Sequence, residues 1–283
     1  MLSYRHIFHA GNFADVLKHA ILGLLVQALK RKDKPFFYLD THAGCGRYDL
    51  QNGAAQKNCE HLQGIAKLWE RPGNSPLLRP YLDTVAALNS QGNLRYYPGS
   101  PRLVRHLLRE HDRMALCELH STDIEWLRRE FDGDGQVTVL QQDGYQALKA
   151  LLPPRERRGL VLIDPAFELK DERERLLKAL FEAYRRWPTG TYAVWFPILD
   201  RNVAEAFYRR FRNSGIAKIL LAELCVGPET SNLGMYGTGM IVINPPWQLD
   251  EDLKGLLPQL REVLAESGQG AWRLEWLAEE TGG

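Results

Sequence analysis

Gly159-Leu-Val-Leu-Ile-Asp164-Pro-Ala-Phe167 is a short apolar run that stops at an acid, a proline and an aromatic residue. An apolar run of this length between turn signals predicts a buried parallel strand. In open α/β sheets, ligands bind just past the carboxyl ends of such strands. The carboxylate of Asp164, the carbonyl of Pro165 and the ring of Phe167 are suited to hold a flat nitrogenous base by its amino group and its face.

Further apolar runs predict a sheet around this strand. Strands are predicted at 36–39, 114–117, 137–140, 160–163 and 192–196, and helical patterns between them indicate a mostly parallel α/β sheet. A first helix, with apolar residues on one stripe and Asn12 as its N-cap, is predicted from about 12 to 32. The last two runs, 217–226 and 240–243, are joined by a loop without a helix, which predicts a C-terminal antiparallel hairpin.

Residues 48–95 differ in character from the rest of the chain. They contain helical patterns at 60–70 and 77–88, separated by a segment rich in proline and glycine, and no clear strand pattern. We therefore predict a helical insertion at 48–95, with residues 1–47 and 96–283 forming the core domain.

Composition limits the classes of function. The net charge is +1, from 36 Lys and Arg against 35 Asp and Glu, so only a local patch could bind nucleic acid. Four scattered cysteines give neither a disulfide frame nor a zinc motif, and His6 and His9 lack a nearby third ligand, so we expect no metal. The polar N-terminus and the absence of an 18-residue apolar run predict a cytoplasmic protein without a membrane partner, and we expect a monomer.

The first predicted strand leads into a glycine turn, Gly44-Cys-Gly46, that matches a dinucleotide fingerprint only in part. Asp49 stands where the third glycine is expected, and its carboxylate would repel a pyrophosphate, which disfavours a dehydrogenase. The turn suits S-adenosylmethionine, a cofactor without phosphates. Glu118 follows the next strand and could accept both ribose hydroxyls, while Asp143 follows the third and could accept from the adenine amino group.

The chain resembles the bacterial 23S ribosomal RNA adenine-N6 methyltransferases of the RlmJ type over almost its whole length. This resemblance implies an α/β, class I (Rossmann-like) methyltransferase sheet with a small helical subdomain inserted after the first strand. The motifs that carry it are Met1-Leu-Ser-Tyr-Arg-His6, His9-Ala-Gly-Asn12, Ala14-Asp-Val-Leu-Lys-His19, Tyr38-Leu-Asp-Thr-His-Ala-Gly44, Arg95-Tyr-Tyr-Pro-Gly-Ser-Pro101, Asp143-Gly144, Leu162-Ile-Asp-Pro165 and Gly239-Met-Ile-Val-Ile-Asn-Pro-Pro-Trp247.

The resemblance also implies roles for individual residues. Asp164 would be the catalytic acceptor, assisted by Pro165 and Phe167. The target would be the adenosine at position 2030 of 23S ribosomal RNA, in a protein-free or early assembly form. The RNA would be met by Tyr4, His6 and Lys18. Contacts to S-adenosylmethionine would come from His19, His42, Ser100, Glu118, Asp143 and Gly144.

The chain departs from the family pattern at its catalytic motif. The usual form is Asp-Pro-Pro-Tyr, whereas Ala166 and Phe167 stand in the last two positions here. Phe167 keeps the stacking face, and losing the second proline frees the backbone, so we expect a looser but active pocket. Two alternatives stay open: a DNA adenine-N6 methyltransferase, and a catalytically silent RNA-binding relative. A second motif, Asn244-Pro-Pro-Trp247, also follows a strand, and we interpret it as a turn with a packing tryptophan.

Two basic segments are candidates for contacts to RNA phosphates. Arg102, Arg105 and Arg109 recur at helical spacing, and the basic segment 155–158 precedes the catalytic strand. Basic side chains near the pocket could engage phosphates, although most such runs are solvated surfaces.

Overall fold

An eight-stranded sheet forms the centre of the protein in a computed structural model that describes residues 5–69, 71, 73–229, 234–265 and 269–279. Two further strands, Arg47–Asp49 (β2) and Tyr96–Pro98 (β3), pair with each other beside this sheet. In chain order the strands are β1 (Phe37–Asp40), β2 (Arg47–Asp49), β3 (Tyr96–Pro98), β4 (Arg113–Cys117), β5 (Val137–Leu140), β6 (Gly159–Ile163), β7 (Thr191–Ile198), β8 (Ile219–Cys225), β9 (Gly237–Ile243) and β10 (Ala271–Ala278).

Helices cover both faces of the sheet, as expected when helical segments connect parallel strands. In chain order they are α1 (Phe13–Lys30), α2 (Gly53–Asn58), α3 (Ile65–Trp69), α4 (Arg79–Leu88), α5 (Ser100–Leu107), α6 (Ser121–Glu130), α7 (Gly144–Leu151), α8 (Glu172–Arg186), α9 (Arg201–Arg212) and α10 (Leu249–Leu264). No helix in the described ranges is long and apolar enough to cross a membrane.

The strand order is β10-β8-β9-β7-β6-β1-β4-β5. Strands β7, β6, β1, β4 and β5 run parallel, which confirms the predicted mostly parallel α/β sheet. Strand β9 runs antiparallel between β7 and β8, which confirms the predicted hairpin. No strand was predicted at β10. It pairs with β8 at the edge of the sheet, and its half-exposed, partly charged side chains lack the apolar pattern of the inner strands.

Helix α1 begins as predicted, because Asn12 accepts a hydrogen bond from the backbone N–H of Asp15 at 3.0 Å. The prediction of a single apolar stripe is wrong, since α1 is buried over most of its surface, including Lys18 and His19. Helices α4, α5 and α10 and strand β9 all pack against it. This enclosure forces the polar residues of α1 to find partners inside the protein.

The segment predicted as an insertion, 48–95, begins within β2, where no strand was predicted, and ends just before β3. It contains α2, α3, α4 and short 3-10 turns. The continuous helix predicted at 60–70 is wrong, because the segment breaks at Gly64 between a 3-10 turn and α3. A Cβ atom on Gly64 would lie 2.0 Å from the carbonyl oxygen of Gly11. The two chain segments can approach this closely only at a glycine.

Replacing Leu25 tests how far the fold depends on α1. Leu25 is fully buried in the core, and Leu25→Ala should lower the free energy of unfolding by about 2–5 kcal/mol through lost burial and cavity formation. Leu62→Ala is the matched control, because 53% of Leu62 is exposed, and it should change stability by less than about 0.5 kcal/mol. Urea unfolding measures both. Equal losses would contradict a core organised around α1.

Candidate active site

The carboxyl ends of β1, β4, β5 and β6 open onto one cavity of about 370 Å³. Parallel strands bring residues that follow each of them to the same edge of the sheet, even though they are far apart in sequence. Tyr4 lies outside the described residues. The cavity is lined by all the other predicted site residues, namely His6, Lys18, His19, His42, Ser100, Glu118, Asp143, Gly144, Asp164, Pro165 and Phe167.

A buried ion-pair chain connects α1 to the end of β6. The Nζ atom of Lys18 donates to Asp164 Oδ2 at 2.6 Å and lies 2.8 Å from Asp15 Oδ1. Burial of Lys18 disfavours its charge, but the two carboxylates outweigh this and raise its pKa. Lys18 therefore carries its charge at neutral pH and ties the Asp164 carboxylate to the helix.

Asp15 sits at the centre of this network. Its Oδ2 accepts from the Gly11 backbone N–H at 2.9 Å and lies 2.9 Å from His6 Nε2. Burial alone would raise the pKa of Asp15, but the charges of His6 and Lys18 hold it well below its usual value. No role was predicted for Asp15, although its spacing of three residues from Lys18 on one helix was an available signal.

The loop after β6 holds an aromatic ring beside Asp164. The backbone of Phe167 has φ of 53°, in the left-handed region that aromatic residues rarely adopt. Its ring centroid lies 5.9 Å from that of Trp195, and the Arg173 guanidinium lies 5.2 Å from the Phe167 ring. Trp195, which the sequence analysis did not single out, also lines the cavity. Packing thus fixes this ring although Ala166 provides no proline constraint.

Glu118, which follows β4, is fixed by the backbone around the glycine turn. Its Oε2 accepts from the Gly44 N–H at 2.8 Å, and its Oε1 accepts from the His120 N–H at 2.6 Å. Burial raises the pKa of Glu118 above its usual value, partly opposed by these hydrogen bonds. The carboxylate is therefore held in one orientation at the cavity wall.

Asp143 and Gly144 shape the wall after β5. Asp143 caps α7, because its Oδ1 accepts from the Tyr145 N–H at 2.8 Å. Its Oδ2 accepts from Arg175 at 3.1 Å, so an adenine amino group would share this carboxylate with a guanidinium. A Cβ atom on Gly144 would lie 2.1 Å from the carbonyl oxygen of Thr41, so the chain segments after β1 and β5 meet at a position that only glycine fits.

Two of the histidines that line the cavity, His19 and His42, are neutral at physiological pH. Burial lowers the pKa of His19 to about 3 and that of His42 to about 4. His19 Nδ1 lies 2.7 Å from the Tyr97 hydroxyl, whereas its buried Nε2 has no partner among the described residues. His42 Nδ1 lies 2.7 Å from the Thr41 hydroxyl. An unpaired, buried ring nitrogen at the cavity wall is a group that a bound ligand can satisfy.

Ser100 lines the cavity from the start of α5 and supports the end of β1. Its hydroxyl donates to Asp40 Oδ2 at 2.7 Å, and the Tyr38 hydroxyl donates to the same oxygen at 2.8 Å. Burial raises the pKa of Asp40 to about 6. Asp40 is thereby engaged inside the protein and holds the wall beneath the cavity.

The motif at Asn244 lies at the end of the sheet opposite the cavity, where the parallel strands begin. Strand β9 runs antiparallel to β7, so its carboxyl end meets the start of that strand, and Thr191 Oγ1 donates to the Asn244 carbonyl at 3.1 Å. The Asn244 side chain donates to the carbonyl oxygens of Pro188 and Gly190. This motif therefore forms a structural turn remote from the cavity. The prediction of a packing tryptophan is wrong, because 80% of Trp247 is exposed.

His6 and His9 each lie beside a carboxylate. His6 is paired with Asp15, and His9 Nδ1 lies 2.8 Å from Glu60 Oε1. Within the described ranges there is no group of three or more histidine, cysteine, aspartate or glutamate side chains arranged to hold a metal ion.

The fold and the cavity define a class I methyltransferase. Strand β9 runs antiparallel between β7 and β8, a glycine turn follows β1, and acids follow β4, β5 and β6. A family model described as "Ribosomal RNA large subunit methyltransferase D, RlmJ" matches residues 33–278. The chain belongs to this family, which confirms the resemblance found in the sequence.

Individual relatives agree with this assignment. Proteins named "Ribosomal RNA large subunit methyltransferase J" from Haemophilus influenzae and Escherichia coli K12 are each 47% identical to the chain, over 281 and 280 residues. Each alignment covers 99% of this chain and 100% of the relative. A crystal structure of a protein from Legionella pneumophila superimposes with a TM-score of 0.89 at 39% identity, covering 95% of this chain and 98% of that one.

Substitution of Gly144 tests the close approach at the cavity wall. Gly144→Ala should force apart the chain segments that follow β1 and β5, cost about 1–3 kcal/mol of stability and weaken S-adenosylmethionine binding at least about tenfold. Gly53→Ala is the control, because a Cβ there meets nothing within 4 Å. Isothermal titration calorimetry measures the affinity. Unchanged binding by Gly144→Ala would contradict this packing constraint.

Asp15→Asn tests the buried ion-pair chain. Because the variant leaves Lys18 without one of its carboxylates, it should lower the free energy of unfolding by about 3–5 kcal/mol at pH 7. The pKa of Asp15 is lowered on folding from 3.8, so its contribution is present above about pH 5 and lost as pH falls below 3.8. The difference between wild type and variant in urea unfolding should therefore shrink at low pH. A difference independent of pH would refute the ionic origin.

Proposed function

We propose that this protein transfers a methyl group from S-adenosylmethionine to N6 of an adenosine in 23S ribosomal RNA, the one at position 2030. The observation that carries the proposal is the position of Asp164 at the end of β6, tied to Lys18 and facing the same cavity as Glu118 and His19. Membership of the RlmJ family and the relatives named as large-subunit rRNA methyltransferases support the substrate class.

The residues on the cofactor side of the cavity fit S-adenosylmethionine. The Glu118 carboxylate has the two oxygens that a ribose diol requires. The unpaired Nε2 of His19 could bond the polar methionine end, and Asp143 could accept from the adenine amino group. His42, Ser100 and Gly144 complete this wall. When bound, the cofactor supplies an electrophilic methyl group.

The catalytic role proposed for Asp164 follows from the weak nucleophilicity of adenine N6, whose lone pair is delocalised into the ring. Asp164 Oδ2 accepts from Lys18, which leaves Oδ1 to accept one amino hydrogen, while the Pro165 carbonyl accepts the other. These two acceptors draw N6 toward tetrahedral geometry and orient its lone pair. As the new C–N bond forms and the C–S bond breaks, N6 gains positive charge, and it then loses a proton to Asp164 or to water.

Phe167 is the proposed stacking surface for the target base. Stacking of this kind contributes roughly 1–3 kcal/mol per base in single-strand binders. The base must leave its stack to enter the cavity, so a loop or bulge is a better substrate than a regular duplex. His6 and Lys18 line the adjacent wall, and we propose that they and Tyr4 contact the RNA.

The proposed substrate sets the cellular context. We place the reaction in the cytoplasm, on 23S ribosomal RNA that is protein-free or in an early assembly form, because the target base must be accessible. We further propose that the protein acts as a monomer, since the candidate residues of one chain line the cavity.

Replacement of Asp164 tests the proposed chemistry. Asp164→Asn keeps the shape of the side chain but loses the ionic contact to Lys18 and one acceptor, so kcat should fall at least about 100-fold. Affinity for S-adenosylmethionine should stay within about threefold of wild type. Transfer of labelled methyl to protein-free 23S ribosomal RNA, followed by nucleoside analysis, measures the rate and the methylated position.

Asn244→Ala is the control variant and should retain transfer, because that motif lies at the far edge of the sheet. Wild-type methylation of duplex DNA instead of 23S RNA would establish the DNA adenine methyltransferase alternative. Cofactor binding without transfer to either substrate would favour the catalytically silent relative. Ala166→Pro, which restores the usual motif, shows whether the alanine is responsible for such silence.

A further inference from the structure

The basic segments noted in the sequence are largely neutralised in the structure. Arg102 is paired with Glu130, Arg105 with Asp134 and Arg109 with Asp112. In the segment 155–158, Arg155 is paired with Glu156, and Arg158 donates to backbone carbonyls, including that of Lys34. Carboxylates and carbonyls already hold these five guanidinium groups, so they are poor candidates for binding RNA phosphates. Arg157, which lies between Arg155 and Arg158 in the second segment, is exposed and stands apart from the surface between α7 and α8.

A different basic surface lies between α7 and α8, which we call the α7–α8 groove. It opens from the active-site cavity, because Asp143, Tyr145 and Arg175 line both. The charged side chains that line it are Asp143, Lys149, Arg175, Lys178, Glu182, Arg185 and Arg186. Five of these are basic and two are acidic, in a chain whose net charge is only +1.

Four of the basic residues in the groove are available to a partner. Lys149, Lys178, Arg185 and Arg186 are exposed, and none forms an ion pair with a carboxylate in the described part of the chain. The two arginines use part of their donor capacity on the backbone carbonyls of Phe181 and Lys149. The basic residues of the groove therefore differ from the arginines of α5 in two ways: they lack carboxylate partners in the described ranges, and they lie on a different surface.

The position of the groove relates it to the reacting base. Arg173, near the start of α8, lies 5.2 Å from the ring of Phe167, the proposed stacking surface. From Arg175 to Arg186 the helix advances roughly 16 Å at 1.5 Å per residue, which is long enough for several phosphates of an extended strand. Guanidinium and ammonium groups along such a path suit a phosphate backbone and carry no base specificity.

We propose that the α7–α8 groove binds the phosphate backbone of the RNA strand beside the target adenosine. The proposal rests on the function proposed above and specifies where its substrate lies. An acidic protein partner is the competing occupant, and a direct RNA-binding measurement distinguishes it.

The test compares two double variants of equal charge change. Lys149→Glu/Lys178→Glu reverses two exposed charges in the groove. Lys32→Glu/Lys34→Glu is the matched control, in the exposed segment before β1 at the opposite edge of the sheet. Filter binding of a protein-free 23S ribosomal RNA transcript measures Kd at several salt concentrations, and calorimetry measures S-adenosylmethionine affinity.

The groove variant should raise the RNA Kd at least about tenfold more than the control does, with cofactor affinity unchanged. The slope of log Kd against log salt should fall by about 1.4, at about 0.7 per lost phosphate contact in a single strand. Equal RNA Kd values for the two variants would overturn the proposal, and so would an unchanged slope. Methyl transfer is measured separately. If wild type binds RNA through the groove but transfers no methyl group, the proposed function is refuted and the proposed role of the groove in RNA binding is retained.

Discussion

The arrangement of the cavity depends on the contact between Lys18 and Asp164. These two residues are 146 positions apart in the sequence. An ammonium group as buried as that of Lys18 is stable only beside carboxylates, and Asp15 and Asp164 provide them. This requirement positions α1 against the end of β6. It also orients the carboxylate that faces the proposed target base, so the electrostatic need of one buried lysine connects the stability of the fold with the geometry of the site.

Strand direction decides which of two similar motifs faces the cavity. Asp164 follows a parallel strand, so it shares an edge of the sheet with Glu118 and Asp143. Asn244 follows an antiparallel strand and therefore lies where the parallel strands begin, and there its amide donates to backbone carbonyls. The sequence around Asn244 is closer to the usual motif, yet its place in the sheet separates it from the cofactor side.

The loop after β6 obtains its rigidity from neighbours instead of from its own backbone. Ala166 leaves this loop without the second proline, and Phe167 adopts a left-handed backbone conformation that must be held from outside. Trp195, from β7, and Arg173, from α8, contact its ring and supply that restraint. This packing is why we expect the departure from the family motif to be tolerated.

The sequence by itself determined the α/β class, the N-terminus of α1, the C-terminal hairpin and a set of candidate residues, eleven of which line one cavity. These follow from local patterns: apolar periodicity, a capping asparagine, and acids directly after strands. Only the tertiary structure decided that α1 is buried on most sides, that the helix predicted at 60–70 breaks at Gly64, and that β10 completes the sheet. It also decided which basic residues are neutralised and that Asp15, Trp195 and Arg173 support the site. These features depend on contacts between residues distant in sequence, and no local pattern contains that information.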